Sequence, residues 1–428
     1  MSAVEGKWKI IRETEKALFL EREDGIQRWF PKSVVSGPDS NGRMEVADWF
    51  LGKEPLPPLE TSDLELPAPE RGEWRQGAIS YSQVSTFRAC PRAYYFGRIK
   101  RVPSAMRQNQ FLGSAVHEAL ELIYDCDFGT AVPEDYLAAL LRRRWNIGKA
   151  EFERGRRQLG RWDESKFSPA LDQARWGVAQ ATGDFSVESI TGRAPPGREK
   201  MMFSGDSRIG GIIDVLFTDP ELVAVDYKTG KAPEGGLGDD QQLQGLIYSH
   251  LVREEYDRLP DRVEFWYLGD TKVTFIPDEA KVAEVAELMH EASDTIDELR
   301  EMDEGHWEAR PSETACKWCD AKPWCSPYQD SISDQIEEGR GNLVRGEVLE
   351  SLQPEGKRPG SVTIQTGDGE LKLKGWGRPG GLLGELLPGQ EVQCIDTWIS
   401  RSEYSGELEG LVSDPYAIIV DGYIKAEK

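Results

Sequence analysis

The spacing of apolar positions along the chain predicts β structure at both ends and a mixed region between them. Helical periodicity, with apolar residues three or four positions apart, recurs in five segments of the middle region, at about 109–125, 134–158, 169–182, 239–256 and 278–304. Apolar runs near 200–228 and 263–276 predict strands among these helices. The middle region therefore predicts an α/β fold with helices packed on a mixed sheet.

The two ends of the chain show shorter apolar runs. Residues 1–52 contain short runs on either side of the Asp24-Gly25 turn, and these predict a small β domain. A stretch rich in proline and glutamate follows without any period, so residues 53–77 predict an extended linker. With a core at 78–335 and a second β domain at 341–428, we expect four parts in the chain.

Beyond residue 341, glycine and proline turns separate five short predicted strands, at about 343–349, 361–366, 371–374, 391–399 and 416–420. Strands of this number and length predict an OB-like β-barrel. Alternation along the third strand gives one face the cations and the aromatic ring that suit a single nucleic-acid strand. These residues are Lys372, Lys374, Trp376 and Arg378, and Trp398 and Tyr404 would extend the face. A structural or protein-contact role is the alternative for this region.

Two aspartates lie in or directly after the apolar strands of the middle region. Asp214 is flanked by isoleucine and valine, and Asp226 follows a run of four apolar residues. Alternation puts Asp226 and Lys228 on one face of the strand and Tyr227 on the other. Two carboxylates from neighbouring strands can bind a hard divalent cation, and a lysine beside them can orient a water or steady a phosphate oxygen. The alternative is an ordinary Asp226–Lys228 salt bridge, with Asp214 as a hairpin cap.

A helix predicted to begin near Asp239 follows these strands and places Gln244 and Tyr248 one turn apart. Asp214, the Asp-x-Lys run at 226–228 and this Gln-x-x-x-Tyr pair together resemble the PD-(D/E)xK nuclease superfamily, and within it the RecB-like and Cas4-like branch. That branch carries an upstream helical G-x-x-x-H segment, to which Gly113 to His117 is similar. On its own, His117 would more commonly be a surface or packed residue.

The resemblance implies a restriction-endonuclease-like mixed sheet with flanking helices and a metal-dependent active site. It implies that Mg²⁺ or Mn²⁺ is bound by His117, Asp214 and Asp226, with the Tyr227 carbonyl as a further ligand. Lys228 would serve the attacking water. The implied catalytic set consists of Asp214, Asp226, Lys228, Gln244 and Tyr248.

The cysteines form a second pattern of candidate ligands. Cys316, Cys319 and Cys325 lie close together in the sequence, and Cys90 lies far upstream. Four cysteine sulfurs can hold a tetrahedral zinc or a [4Fe-4S] cluster, and spacing alone does not separate the two. The resemblance favours iron, because AddB-type and Cas4-type nucleases carry one cysteine before the nuclease core and three after it. Cys126 and Cys394 have no partner motif and are expected to be isolated core cysteines.

The net charge of −23 argues against a chain that is basic throughout. The distribution of charge nevertheless leaves basic segments, since residues 88–112 contain no acidic residue and 142–161 hold a second basic run. We expect Arg88, Arg92 and Tyr94 to contact a DNA strand beside the metal site. A solvated basic helix face is the alternative for both segments.

The leading hypothesis is a metal-dependent DNA nuclease, acting as an exonuclease on single-stranded or end-frayed DNA in repair, recombination or CRISPR adaptation. No G-x-x-x-x-G-K-[ST] motif is present, so a separate helicase or recombination partner is expected. The first alternative is a non-catalytic DNA-binding or assembly subunit of a helicase–nuclease complex. A second is a zinc-stabilised adaptor in RNA processing or repair. Without a signal peptide or an apolar run of spanning length, we expect a cytoplasmic protein with no membrane contact.

Overall fold

A computed structural model describes residues 72–123, 133–182, 197–333, 335–403 and 405–427, together with short segments between residues 8 and 46. The chain divides into two units, Met1–Asp63 and Leu64–Lys428. Most of the predicted linker, and also Cys126 and Tyr404, lie outside the described residues. The four-part division therefore stays a prediction.

The first unit contains a three-stranded antiparallel meander and a short strand pair. Its strands are β1 (Trp8–Glu13), β2 (Ala17–Arg22), β3 (Gln27–Pro31), β4 (Val35–Ser36) and β5 (Glu45–Val46). The meander runs β1-β2-β3, with each strand antiparallel to the next.

A five-stranded mixed sheet forms the centre of the second unit, in the order β10-β9-β8-β7-β6. Its strands are β6 (Gly197–Phe203), β7 (Gly210–Phe217), β8 (Val223–Lys228), β9 (Arg262–Tyr267) and β10 (Thr271–Phe275). Strands β8 and β9 are parallel, and the other neighbours are antiparallel. The sheet is covered on both faces, which explains why β8 is apolar at consecutive rather than alternate positions.

Helices cover both faces of this sheet, so the predicted α/β core with a mixed sheet is confirmed. The helices are α1 (Tyr81–Ala89), α2 (Pro91–Tyr94), α3 (Gln108–Leu122), α4 (Pro133–Arg154), α5 (Phe167–Thr182), α6 (Asp239–Tyr256) and α7 (Glu279–Arg300). Helices α3, α4 and α5 share one apolar cluster with the sheet, and α1, α6 and α7 share the other. No helix in the described ranges combines the length and the apolar content that a membrane span requires.

Two short helices, α8 (Glu313–Lys317) and α9 (Ser326–Ser331), connect the core to a C-terminal β region. That region contains β11 (Gly339–Leu352), β12 (Gly360–Thr366), β13 (Gly369–Gly375), helix α10 (Arg378–Gly384), β14 (Glu391–Arg401), β15 (Leu408–Leu411), β16 (Ile418–Val420) and β17 (Tyr423–Ile424). Strands β11, β12, β13, β15 and β14 close into a ring, because β11 also pairs with β14. A five-stranded barrel is thus present, as predicted.

The fifth strand of the barrel differs from the prediction. The ring is completed by β15, whereas the predicted strand at 416–420 forms only β16, which pairs with β14 outside the ring. Strand β15 has only four residues and contains Gly410, so its apolar pattern is too short to recognise. Glycine is required there, because a Cβ would clash with Leu373 and Thr397 inside the barrel.

Candidate active site

Strand β8 places Asp226 and Lys228 on one face, as alternation predicts. The Lys228 Nζ atom lies 2.7 Å from Asp226 Oδ2. Asp226 is buried, whereas the lysine side chain retains 28% of its exposure. Tyr227 points to the opposite face, where its ring packs 5.8 Å from that of Trp266. The charged pair therefore occupies one end of an otherwise apolar strand and opens to solvent on the lysine side.

Three carboxylates form a row across strands β6, β7 and β8. The register that pairs Val215 with Val225 places Asp214 beside Asp226 at the next position. On the other side, Arg198 pairs with Val215 and Lys200 pairs with Ile213. Glu199 therefore lies opposite Asp214, although these two residues do not pair as regular strand neighbours. Cross-strand neighbours share a face of the sheet. A row of like charges of this kind repels itself unless a cation or a proton balances it.

Helix α3 brings His117 to this row of carboxylates. Its Nδ1 atom lies 3.4 Å from Asp214 Oδ1, and one ligand atom each from His117, Glu199 and Asp214 falls within 4.8 Å of the others. Gly113 lies one turn earlier, and a Cβ there would stand 3.4 Å from Thr229 Oγ1. The helix therefore lies against the residue that follows β8.

Glu199 was not predicted as a site residue. Its backbone φ is 44°, a left-handed conformation that costs a non-glycine residue ~1–3 kcal/mol. Because this irregularity interrupts the β6–β7 pairing, simple alternation along β6 does not reveal which way the side chain lies. The only sequence signal was an acidic residue in the strand that precedes Asp214.

Helix α6 supplies a hydrogen-bonded network behind Asp226. Gln244 Nε2 donates to Asp226 Oδ1 at 2.7 Å and to the Tyr248 hydroxyl oxygen at 2.9 Å. The Tyr248 hydroxyl donates to the same Asp226 oxygen at 3.0 Å. Lys228 Nζ donates to Gln244 Oε1 at 2.9 Å. The structure thus joins four of the predicted catalytic residues through direct contacts.

Asp214 is held separately by the backbone of β8. The amide N–H of Tyr227 donates to Asp214 Oδ2 at 2.6 Å, which leaves Oδ1 facing His117. The edge of the His117 ring packs against the Tyr227 ring, with centroids 5.6 Å apart. These contacts orient the carboxylate and the imidazole before any ligand binds.

The electrostatics of the site favour a bound cation. Burial raises the pKa of Asp226, the charge of Asp214 raises it further, and Lys228 partly offsets both effects. Burial lowers the pKa of His117, but Asp214, Asp226 and Glu199 together overcome this and raise it to about 9. Burial, Asp226 and Asp214 also raise the pKa of Tyr248 well above its ordinary value. Excess negative charge is thus balanced by a proton on His117 when no metal ion is present.

The cysteines form a second potential ligand site at the end of the core. All four predicted cluster cysteines, Cys90, Cys316, Cys319 and Cys325, line one small cavity. Backbone N–H groups donate to three of the sulfurs: Arg310 to Cys90 at 3.4 Å, Ala321 to Cys319 and Tyr328 to Cys325. Burial raises the pKa of Cys319 to about 11 and also raises that of Cys325. Sulfurs supplied with N–H donors in a shielded cavity suit a metal group that replaces their protons.

Two of the predicted DNA contacts belong instead to the packing around this cavity. Tyr94 is 1% exposed and stacks on Trp307, with ring centroids 6.0 Å apart and planes 11° from parallel. Arg92 donates to Glu304 at 2.6 Å. In the structure both side chains join the segment around Cys90 to the segment at 304–307. Arg88 is exposed.

The predicted barrel face is only partly open. Lys374 is paired with Glu409 of β15, and Lys372 is half-buried. Arg378 donates to the backbone carbonyls of Arg156 and Ala426. Trp376 is 46% exposed. Of this set, Trp376 and Arg378 are exposed.

A presumed exonuclease of known crystal structure, from Eubacterium rectale, aligns with this fold at a TM-score of 0.35 and 11% sequence identity, over 61% of this chain and 90% of that chain. Among curated proteins, no sequence matches the chain. The family model of the PD-(D/E)XK nuclease superfamily matches residues 78–326, which is more than half of the chain and contains every active-site residue described above. Nucleases of this superfamily generally use divalent ions such as Mg²⁺ or Mn²⁺. The chain therefore belongs to the PD-(D/E)XK nuclease superfamily.

Proposed function

We propose that the chain is a metal-dependent DNA nuclease that uses Mg²⁺ or Mn²⁺ and acts as an exonuclease on single-stranded or end-frayed DNA. The observation that carries this proposal is the ligand group of His117, Glu199 and Asp214 beside the Asp226–Lys228 ion pair. Carboxylate oxygens and an imidazole suit these divalent ions. The preference for DNA ends rests on the resemblance to RecB-like and Cas4-like nucleases.

Each site residue has a role that its contacts support. The metal ion would be held by His117, Glu199, Asp214 and Asp226, with the Tyr227 carbonyl as a further ligand. When bound, the ion supplies Lewis-acid stabilisation of charge on the phosphate. Lys228 lies at the open side of the site, where its ammonium group can orient the attacking water or contact a phosphate oxygen.

Gln244 and Tyr248 act as positioning residues in this proposal. Both donate to one oxygen of Asp226, and Gln244 also accepts from Lys228. They therefore fix the carboxylate and the ammonium group relative to each other. Such fixed dipoles lower the reorganisation that the transition state requires.

We further propose a [4Fe-4S] cluster on Cys90, Cys316, Cys319 and Cys325, of the AddB and Cas4 type. Four cysteine sulfurs that line one cavity could hold either this cluster or a tetrahedral zinc. The preference for the iron-sulfur cluster rests on the resemblance to AddB-type and Cas4-type nucleases. The cluster would tie the two ends of the nuclease core together.

The wider assignment follows from the same resemblance. The barrel has the strand order of an OB-like fold, with a helix between its third and fourth strands, and would assist DNA binding. A separate helicase or recombination partner would deliver DNA ends during repair, recombination or CRISPR adaptation in the cytoplasm.

The test compares wild type with Lys228→Ala on end-labelled single-stranded and double-stranded DNA, with Mg²⁺, Mn²⁺ or EDTA. We expect end-dependent release of short products that EDTA abolishes and that Lys228→Ala slows by at least about 10²-fold. Lys231→Ala is the matched control, because this neighbouring lysine is exposed. Cleavage that survives both EDTA and Lys228→Ala would contradict the proposal. Metal-insensitive DNA binding without any cleavage would favour a non-catalytic assembly subunit.

A further inference from the structure

An open cleft of about 1000 Å³ separates the nuclease core from the barrel. The core wall is the segment after α4, residues 155–161. The barrel walls are the β11–β12 loop at 354–359, the turn after β13 at 376–379 and the end of β15 at 411–413. The cleft is distinct from the metal site, since none of His117, Asp214 or Asp226 lines it.

The cleft is lined by cations and by no carboxylate, in a chain whose net charge is −23. Its exposed cations are Arg156, Arg161, Lys357 and Arg358, joined by Arg378. Across the described residues, no carboxylate pairs with any of the first four, whereas Arg142, Arg144 and Lys149 of the neighbouring helix are paired with glutamates. Unpaired cations grouped in a concave site attract a polyanion.

An aromatic ring lies among these cations. Trp376 is 46% exposed, and the guanidinium of Arg161 lies 5.3 Å from the centre of its ring. Arg161 belongs to the core and Trp376 to the barrel, so this contact spans the cleft. An exposed tryptophan provides a surface on which a nucleic-acid base can stack, and an acidic peptide has no matching group.

The two walls of the cleft are held in register by Arg157, which is 3% exposed. Its guanidinium donates to both carboxylate oxygens of Asp414 at 2.6–3.1 Å. It also donates to the carbonyls of Pro103 at 2.6 Å and Asp320 at 2.7 Å. A buried bidentate pair of this kind fixes geometry. The backbone beside Arg157, which carries Arg156 at the cleft, is therefore fixed in position.

We propose that this cleft binds single-stranded DNA, with Arg156, Arg161, Lys357 and Arg358 on the phosphates and Trp376 stacked on a base. The inference rests on the proposed nuclease function, for which it supplies a substrate-binding surface remote from the metal. It replaces the barrel face expected from the sequence, because Lys374 is paired and Lys372 lies outside the cleft. Cations that pair with no carboxylate of the described residues, together with a half-exposed ring, leave this surface open to a flexible strand.

The test measures binding of the full-length chain to fluorescent single-stranded DNA in EDTA, where no cleavage occurs. The oligonucleotide has about 20 nucleotides, longer than the ~4–16 that one barrel of this type covers. We expect Trp376→Ala to weaken binding roughly tenfold. Replacing the four cations by serine should reduce the slope of log K against log salt by about 3, since each phosphate contact contributes ~0.7.

Matched controls are available on the same molecule. Trp398 is 45% exposed and has Arg340 over its ring at 5.4 Å, but it does not line the cleft, so Trp398→Ala should bind like wild type. Serine at Arg258, Lys281, Arg300 and Arg401, which are exposed cations outside the cleft, removes the same charge. Unchanged melting temperatures show that each variant is folded.

The outcomes separate this proposal from the proposed nuclease function. If the cleft and control variants lose DNA affinity equally, the cleft proposal is wrong. It is also wrong if polyglutamate displaces the DNA and Trp376→Ala does not change this displacement. Selective loss in the cleft variants supports it, even if wild type fails to cleave DNA when metal is added. If Lys228→Ala abolishes metal-dependent cleavage but the cleft variants bind DNA normally, the proposed nuclease function is supported and the cleft proposal is wrong.

Discussion

Two candidate metal sites in the second unit are built in opposite ways. The oxygen site consists of His117, Glu199, Asp214 and Asp226, and the sulfur site consists of Cys90, Cys316, Cys319 and Cys325. In the oxygen site, the three acidic residues come from adjacent strands of one sheet, which apolar clusters cover on both faces. Its framework is therefore complete without an ion.

The sulfur site joins segments that are more than 200 residues apart, and its three later cysteines lie on or beside helices of only five and six residues. Side chains from the barrel, including Leu343, Ile395 and Ala417, pack into the same cluster. Short helices are unstable on their own. We therefore expect this region to depend on the proposed cluster for its stability. The oxygen site keeps its framework without an ion and carries only the mutual repulsion of its carboxylates. We expect mutations to affect chemistry in the first site and stability in the second.

The largest effect is expected for Asp226→Asn. This change removes a proposed metal ligand and the partner of Lys228, so cleavage should fall by about 10³-fold, or ~4 kcal/mol. The melting temperature should change little. The neutral amide removes the repulsion from Asp214 and the cost of a buried negative charge, both of which raise the pKa of Asp226. Cleavage assays and thermal unfolding measure the two effects.

Asp261→Asn is the control for Asp226→Asn. Its carboxylate accepts from the Leu222 amide at 2.7 Å at the other end of β8 and contacts no site residue. This variant should retain activity. A large loss of stability in Asp226→Asn with only a small loss of activity would break the comparison between the two sites.

The next effect is expected for Cys325→Ala, which should lose the visible absorbance of an iron-sulfur protein and about 3 kcal/mol of stability. The reason is that a bound group closes a loop of over two hundred residues and converts binding energy into folding energy. Cys394→Ala removes the same atoms from a fully buried thiol in the barrel and should cost only about 1 kcal/mol. A colourless Cys325→Ala protein with wild-type stability would show that the cysteine site does not stabilise the fold.

The sequence predicted those parts of the active site that depend on local periodicity. Alternation along β8 put Asp226 and Lys228 on one face, and helical spacing put Gln244 and Tyr248 on one face, since each pattern is set within a few residues. That the two pairs belong to one site followed from the resemblance to the nuclease superfamily. Glu199 was missed because it depends on an irregular pairing between two strands, at a φ of 44°. No pattern along one strand reveals such an interruption.

The basic segments show a second limit of the sequence. Arg92 and Tyr94 resembled a DNA-binding surface, but tertiary packing pairs one with Glu304 and buries the other against Trp307. In the run from 142 to 161, glutamates from other segments pair with most of the cations on α4. Among the described residues, no carboxylate pairs with Arg156 or Arg161. A run of cations can be recognised in the sequence. The carboxylates that neutralise these cations come from distant segments, so they are known only once the chain is folded.

The smallest expected effect is the pH dependence of metal binding, and it sharpens the contrast between the two sites. Carboxylates around His117 raise its pKa to about 9, so the metal-free site carries a proton there at pH 7. A metal ion needs the neutral imidazole and must displace that proton. Affinity for Mn²⁺ should therefore rise about tenfold, or ~1.4 kcal/mol, for each pH unit from 7 to about 9 and level off above it.

Calorimetry in buffers with different ionisation enthalpies should show close to one proton released at pH 7. In His117→Gln, Mn²⁺ should bind more weakly, with a flatter dependence on pH, while the absorbance of the filled sulfur site stays constant. Equal slopes for wild type and variant would place the exchanged proton on Asp226, whose pKa is also raised, and would remove His117 from the set of ligands.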